Sequence, residues 1–101
     1  MKNKILKLYS GEGYEELSME RIVKLLPRPR IIRLPGAPEG VAGLIDYEGS
    51  LVAARYLEGA VPKETYECAV LTAGEDGSLW GILADELAGG EQVDTVYGQG
   101  I

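Results

Sequence analysis

The chain has 101 residues, 46% hydrophobic and 26% charged, with a formal net charge of −6. That is enough for one small domain with a modest core. The acidic balance argues against nucleic acid and against anionic membrane surfaces, both of which need clustered Lys and Arg.

The lone cysteine, Cys68, excludes an internal disulfide framework. It lies in the apolar run Cys68-Ala69-Val70-Leu71, where cysteine acts as a small hydrophobe in a buried strand. The start MKNKILKL has too short an apolar run for a signal peptide, and no segment approaches transmembrane length. These features predict a cytoplasmic protein.

In chain order, residues 4–9 read as a strand, 10–13 as a turn and 14–17 as a returning strand. Gly11 and Gly13 lack the third glycine and following helix of a phosphate-binding loop. Ser18 is a candidate N-cap for a short helix over residues 19–26, with Met19, Ile22 and Leu26 on one face. Arg21 stands where a capping box needs Glu or Gln, and Pro27 ends the helix. Residues 28–32 read as extended.

Residues 31–57 hold the strongest local signals. Pro35 and Pro38 make a rigid corner of 34–39. Residues 41–45 are a strand, and Asp46-Tyr47-Glu48-Gly49 has hairpin-turn chemistry with Gly49 at positive φ. Residues 51–56 return as a strand. A loop follows over 58–67, then a strand over 68–72. Asp76-Gly77 signals a second hairpin, returning through 79–83 with Trp80 and Ile82 on one face and Leu79 and Leu83 on the other. Gly81 suggests a bend or a close backbone approach, and residues 85–87 continue after a kink. Residues 92–97 form a last strand, and 98–101 a frayed tail. Short strands, Gly-rich turns and one short helix give an all-β fold of barrel or sandwich type.

Histidine is absent, which removes Ser-His and Cys-His pairs and most zinc sites. The acidic doublets Glu15-Glu16, Glu75-Asp76 and Asp85-Glu86 make no catalytic dyad within a strand, because neighbours point to opposite faces. No calcium-type loop is visible. The residues therefore point to no catalytic site, no cofactor and no metal.

Four segments in order carry a family resemblance. Residues 6–14 (LKLYSGEGY) and 17–22 (LSMERI) are similar to the opening strand and turn, and to the segment leading into the first helix, of CheW-like domains. The stretch 33–45, RLPGAPEGVAGLI, with Gly49, Leu51 and Val52 after it, resembles the centre of that family. GILADEL at 81–87 resembles its "G-L-V-V-D-E-V" strand. The resemblance implies a single CheW-like domain over residues 1–101 with SH3-like β-barrel subdomains, shortened at its C-terminal end. It implies a non-catalytic chemotaxis adaptor in the bacterial cytoplasm that bridges a CheA-type histidine kinase and the cytoplasmic tip of chemoreceptors.

Aligned on the Pro-Gly corner, Lys24 falls where many members carry glutamate, and Glu48 falls at the arginine of the family's "N-L-R-G" turn. Reversal of both charges is what a retained ion pair with swapped partners would give; independent drift of two solvated residues is the other reading. The candidate partner-binding residues are Lys24, Asp46, Tyr47, Glu48 and Arg55. A sheet edge left by the shortened end would be covered by a second copy in a homodimer, or by residues 92–97 of the same chain. Two other functions stay open: a self-associating module that has lost chemotaxis coupling, and a small carboxylate enzyme.

Overall fold

The computed structural model describes residues 4–89 and the backbone of 95–97. Among them the chain begins with β1 (Ile5–Ser10), whose alternation buries Leu6 and Leu8. Two turn residues return it as β2 (Gly13–Ser18), with Ser10 opposite Gly13.

The helix expected over residues 19–26 is not formed. Ser18 does act as a cap, its Oγ accepting from the Glu20 N–H at 3.4 Å, but it caps one 3-10 turn over Met19–Arg21. The chain then runs extended as β3 (Ile22–Pro27), antiparallel to β7 (Cys68–Ala73). The register of β3 shifts between Ile22 and Lys24. Such a bulge adds one residue to the period of two. It puts Ile22 and Leu25, three apart, against the same core cluster, while Leu26 packs on the other. A bulged strand thus reproduces the spacing of a helix. An eight-residue helix would be marginal by itself, whereas β7 pairs with β3 from Ile22 to Pro27 on either side of the bulge.

After the two-residue β4 (Ile31–Ile32) and the Pro-Gly corner, β5 (Val41–Tyr47) and β6 (Ser50–Arg55) form the expected hairpin. The second hairpin joins β7 to β8 (Leu79–Ala84), with Gly77 at φ 86°. Side chains of Ile45 and Leu71 fill the space a Cβ at Gly81 would need, at 3.3 and 3.4 Å. The expected close backbone approach at Gly81 is not found: the three atoms nearest such a Cβ all belong to side chains. The chain bends at Asp85 and enters β9 (Glu86–Gly89), on which β10 (Thr95–Tyr97) pairs. The rest of the predicted strand 92–97, and the tail 98–101, lie outside the described residues.

Two sheets result. One has the order β10-β9-β1-β2, the other β3-β7-β8-β6-β5-β4. Strands β6 and β8 pair in parallel, so the loop 56–67 and β7 intervene between them in sequence. Because β8 passes straight into β9, it ties the sheets together. Ile82 and Ala84 face a cluster with Leu6, Leu8, Leu57 and Leu87, drawn from both sheets. Leu83 faces a second cluster with Ala42, Ile45, Ala54, Tyr66 and Ala69, drawn from the six-stranded sheet and its loop. Cys68 is fully buried in the first cluster, and burial pushes its thiol pKa up to about 12. As expected from its neighbours, it is an unreactive packing residue.

Candidate partner-binding surface

The β5–β6 turn carries three of the five residues singled out by sequence. Tyr47 pairs with Ser50, so Glu48 and Gly49 alone make the loop. Their φ values of 53° and 87° are those of a primed turn. Gly49 adopts this conformation freely. Glu48 adopts it against the preference of a residue with a Cβ, and Asp46 holds it there by accepting the Gly49 N–H on Oδ1 at 2.9 Å. The Asp46 backbone pairs opposite Leu51, whose side chain is 60% exposed. The turn therefore presents two carboxylates, a half-buried tyrosine and an exposed leucine. Sequence reasoning missed Leu51 as a surface residue, because it reads as one more apolar position of a strand.

Lys24 is exposed on β3, one of the two outer strands of the six-stranded sheet, opposite Leu71 of β7. Among the described residues the ion pairs are Arg21–Glu75, Arg55–Glu15 and Lys63–Asp85. The exchanged pair between Lys24 and Glu48 is not formed; the two are separate solvated charges.

Arg55 ends β6, six residues after Gly49 or roughly 20 Å at the strand rise, and faces the other sheet. Its guanidinium donates twice to Glu15 of β2, Nη1 to Oε2 at 2.6 Å and Nη2 to Oε1 at 2.8 Å. The Glu58 N–H adds a third donor to Glu15 Oε2 at 3.0 Å. The bond from Arg55 holds the Glu15 carboxyl below its ordinary pKa, with the Glu58 N–H adding to the effect against burial. This pair forms one wall of a groove of about 640 Å³ between the sheets, lined also by Glu39, Val41, Tyr56, Leu57 and Trp80. Glu15 belongs to a doublet that a strand separates by face. Its doublet partner Glu16 instead accepts from the Tyr14 hydroxyl, which raises the tyrosine pKa to about 12.

Asp85, at the bend between β8 and β9, is a second junction. Its Oδ2 accepts from Ser10 Oγ at 2.8 Å and Lys63 Nζ at 2.6 Å, its Oδ1 accepts from the Glu67 N–H at 3.3 Å, and its own N–H donates to the Tyr9 carbonyl at 2.8 Å. Burial opposes ionisation, but the bonds from Lys63, Ser10 and Glu67 outweigh it and the carboxyl stays below its usual pKa. Arg33 braces the loop 56–67 from the other side, donating to the carbonyls of Lys63 and Glu64 at 3.0 and 2.9 Å and to the Tyr56 hydroxyl at 3.0 Å. Neither network had a signal in the sequence, because each joins residues far apart in the chain.

Among the described residues no three His, Cys, Asp or Glu side chains converge to hold a metal ion. No helix among them is long and apolar enough to cross a membrane.

No curated protein matches the sequence. In fold, the chain is similar to the crystal structure of the scaffolding protein TtCheW from Thermoanaerobacter tengcongensis, with a TM-score of 0.73 at 16% sequence identity. That superposition covers 96% of this chain and 66% of the other, so this chain spans slightly less than two thirds of that protein's length. The CheW-like domain family matches residues 9–96. With two linked β-sheets and a family match over most of its length, the chain belongs to the CheW-like domain family.

Proposed function

We propose that this chain is a non-catalytic signalling adaptor of the chemotaxis type. In this reading it joins a CheA-type histidine kinase to the cytoplasmic tip of chemoreceptors in the bacterial cytoplasm. The observation that carries the reading is the family match over residues 9–96. An adaptor acts through surface shape and charge, and the turn of Asp46, Tyr47, Glu48 and Leu51 is a stiff projection suited to that. Two of the carboxylates already have structural partners, Glu15 in Arg55 and Asp85 in Lys63. Complementary charge sets which partner docks more than how tightly it docks. The two acids of the turn therefore call for a basic receptor or kinase surface. Lys24 contributes a separate positive charge on the outer strand β3, and Arg55 is a positioning residue that fixes how the two sheets sit.

The test is binding of the full chain to purified kinase and receptor cytoplasmic fragments, measured by interferometry. Both fragments should bind, and Glu48→Arg should weaken at least one of them about tenfold or more. Absence of binding to both would remove the adaptor reading and leave a self-associating module. The pairing of β10 on β9 covers that edge from within the chain, which takes away the physical reason for strand exchange there. β2 remains an outer strand of its sheet.

A further inference from the structure

The end of β3, the short β4 and the end of β5 border a cleft of about 500 Å³. Its floor is apolar, with Leu26, Ile32 and Ile45, and Ile32 is 44% exposed. Arg28, Arg30 and Asp46 supply its charged lining. We infer that this cleft is a docking site for an extended acidic peptide segment of a protein partner, with an apolar side chain seated on the floor between Arg28 and Arg30.

Three observations support this, and none depends on the adaptor reading. The first is charge. The chain is acidic overall at −6, yet four of its ten Lys and Arg fall within residues 24–33, with no acid between Glu20 and Glu39. The ion pairs among the described residues use Arg21, Arg55 and Lys63, and among those residues no acid pairs with Arg28 or Arg30. An acidic partner supplies the missing charge.

The second is backbone strain. Arg28 sits at φ 44°, although it has a Cβ and precedes Pro29, which favours extended backbone before it. Its N–H donates to the Glu67 carbonyl at 2.8 Å, and that bond fixes the unusual conformation. Strain of this kind persists where the surrounding structure over-determines it, and it concentrates at binding sites.

The third is an open edge. Among the described residues β4 is the last strand of its sheet and pairs only with β5. An extended segment can add to such an edge through main-chain hydrogen bonds, with alternate side chains reading the pockets. Asp46 sets the orientation: the carboxylates of the peptide belong at the arginine end, and its neutral part beside Asp46.

The test uses an array of nine-residue peptides with zero to six acidic residues and Leu, Ile or Gly at the centre, probed with the labelled full chain. Binding should rise with acidic content, require Leu or Ile at the centre, and weaken in high salt. Arg28→Gly with Arg30→Ser should abolish it, while Arg21→Ser, outside the cleft, should not. Glycine accepts the φ of residue 28, so this double variant keeps its thermal midpoint, and lost binding then reports the arginines themselves. Amide shifts on adding the best peptide should map to residues 26–32 and 44–46. Failure of every peptide, indifference to the central residue, or retained binding by the double variant would overturn the proposal. Equal binding of a single-stranded RNA twelve-mer would also overturn it.

Discussion

Replacing Glu15 by Gln should destabilise the protein by about 2 kcal/mol, a value bracketed by burial. Exposed ion pairs contribute about 0–1 kcal/mol, and removing one member of a buried pair costs about 3–5 kcal/mol. The side chains of Arg55 and Glu15 are 33% and 19% exposed, between those limits. The geometry is two-pronged, and Glu15 also takes the Glu58 N–H, so the loss falls near the middle. For a domain of this size that shift lowers the thermal midpoint by about 8–16 °C. The decisive measurement is a double-mutant cycle of Glu15→Gln, Arg55→Met and both together, by urea denaturation at neutral pH. Each single change leaves a half-buried group without its partner, whereas the double change leaves two neutral groups. A coupling of about 1–2 kcal/mol is expected. If the single effects add to the double within about 0.5 kcal/mol, the pair does not join the sheets energetically.

Lys24→Glu and Glu48→Arg should be additive in stability, each within about 0.5 kcal/mol of the parent, because no ion pair links the two; a measurable coupling by the same denaturation method would contradict the structure. Glu48→Gly should stabilise by about 1 kcal/mol by relieving the left-handed conformation while weakening partner binding, read by denaturation midpoint and interferometry. Gly13→Ala should destabilise by about 1–3 kcal/mol, since an added Cβ would stand 2.6 Å from Ala60 Cβ and 2.9 Å from its backbone N; an unchanged midpoint would show that the loop yields. The native carboxyls of Glu15 and Asp85 lie below their unfolded pKa values, so their contribution is complete above about pH 5 and is lost as pH falls through the native values. Asp85→Asn should therefore be less stable at pH 7, and its deficit should shrink by pH 3; a constant deficit across that range would refute the linkage.

The all-β class was legible because turn chemistry is local. Gly49 and Gly77 mark hairpins within a few residues of where they occur, and the apolar run at Cys68 marks a buried strand. What failed was the period over residues 19–26, where a bulge made a strand look like a helix. Ser18 gave a true capping signal that governs one turn only, and nothing local says that β7 will take over the next residue. Of the five candidate residues, Asp46, Tyr47 and Glu48 share one turn because they are adjacent in sequence. Arg55 and Lys24 lie apart from it, since their positions depend on strand order, which no short segment encodes. The partners of Arg55 and Asp85 were illegible for the same reason: Glu15 is 40 positions from Arg55, and Ser10 is 75 from Asp85.

Asp85 also separates two meanings of a family motif. The segment Gly81 to Leu87 carries the resemblance to the family's "D-E-V" strand, and a conspicuous acid there invites a functional reading. In the structure this acid stands where β8 leaves the six-stranded sheet and β9 joins the other. The bend frees backbone groups on both sides, and the Asp85 N–H finds the Tyr9 carbonyl while the carboxylate takes the Glu67 N–H. Ser10, only 2% exposed, would be an unpaired buried hydroxyl without it. Lys63 supplies the counter-charge and ties the loop 56–67 to the bend. Each oxygen thus has a structural partner, and the motif is explained by the passage of one strand between two sheets. A motif explained in this way is evidence for the fold. Evidence for partner choice has to come from side chains the fold does not need, which are Glu48 of the β5–β6 turn, the exposed Leu51, and Arg28 and Arg30 beside β4, which have no ion pair among the described residues.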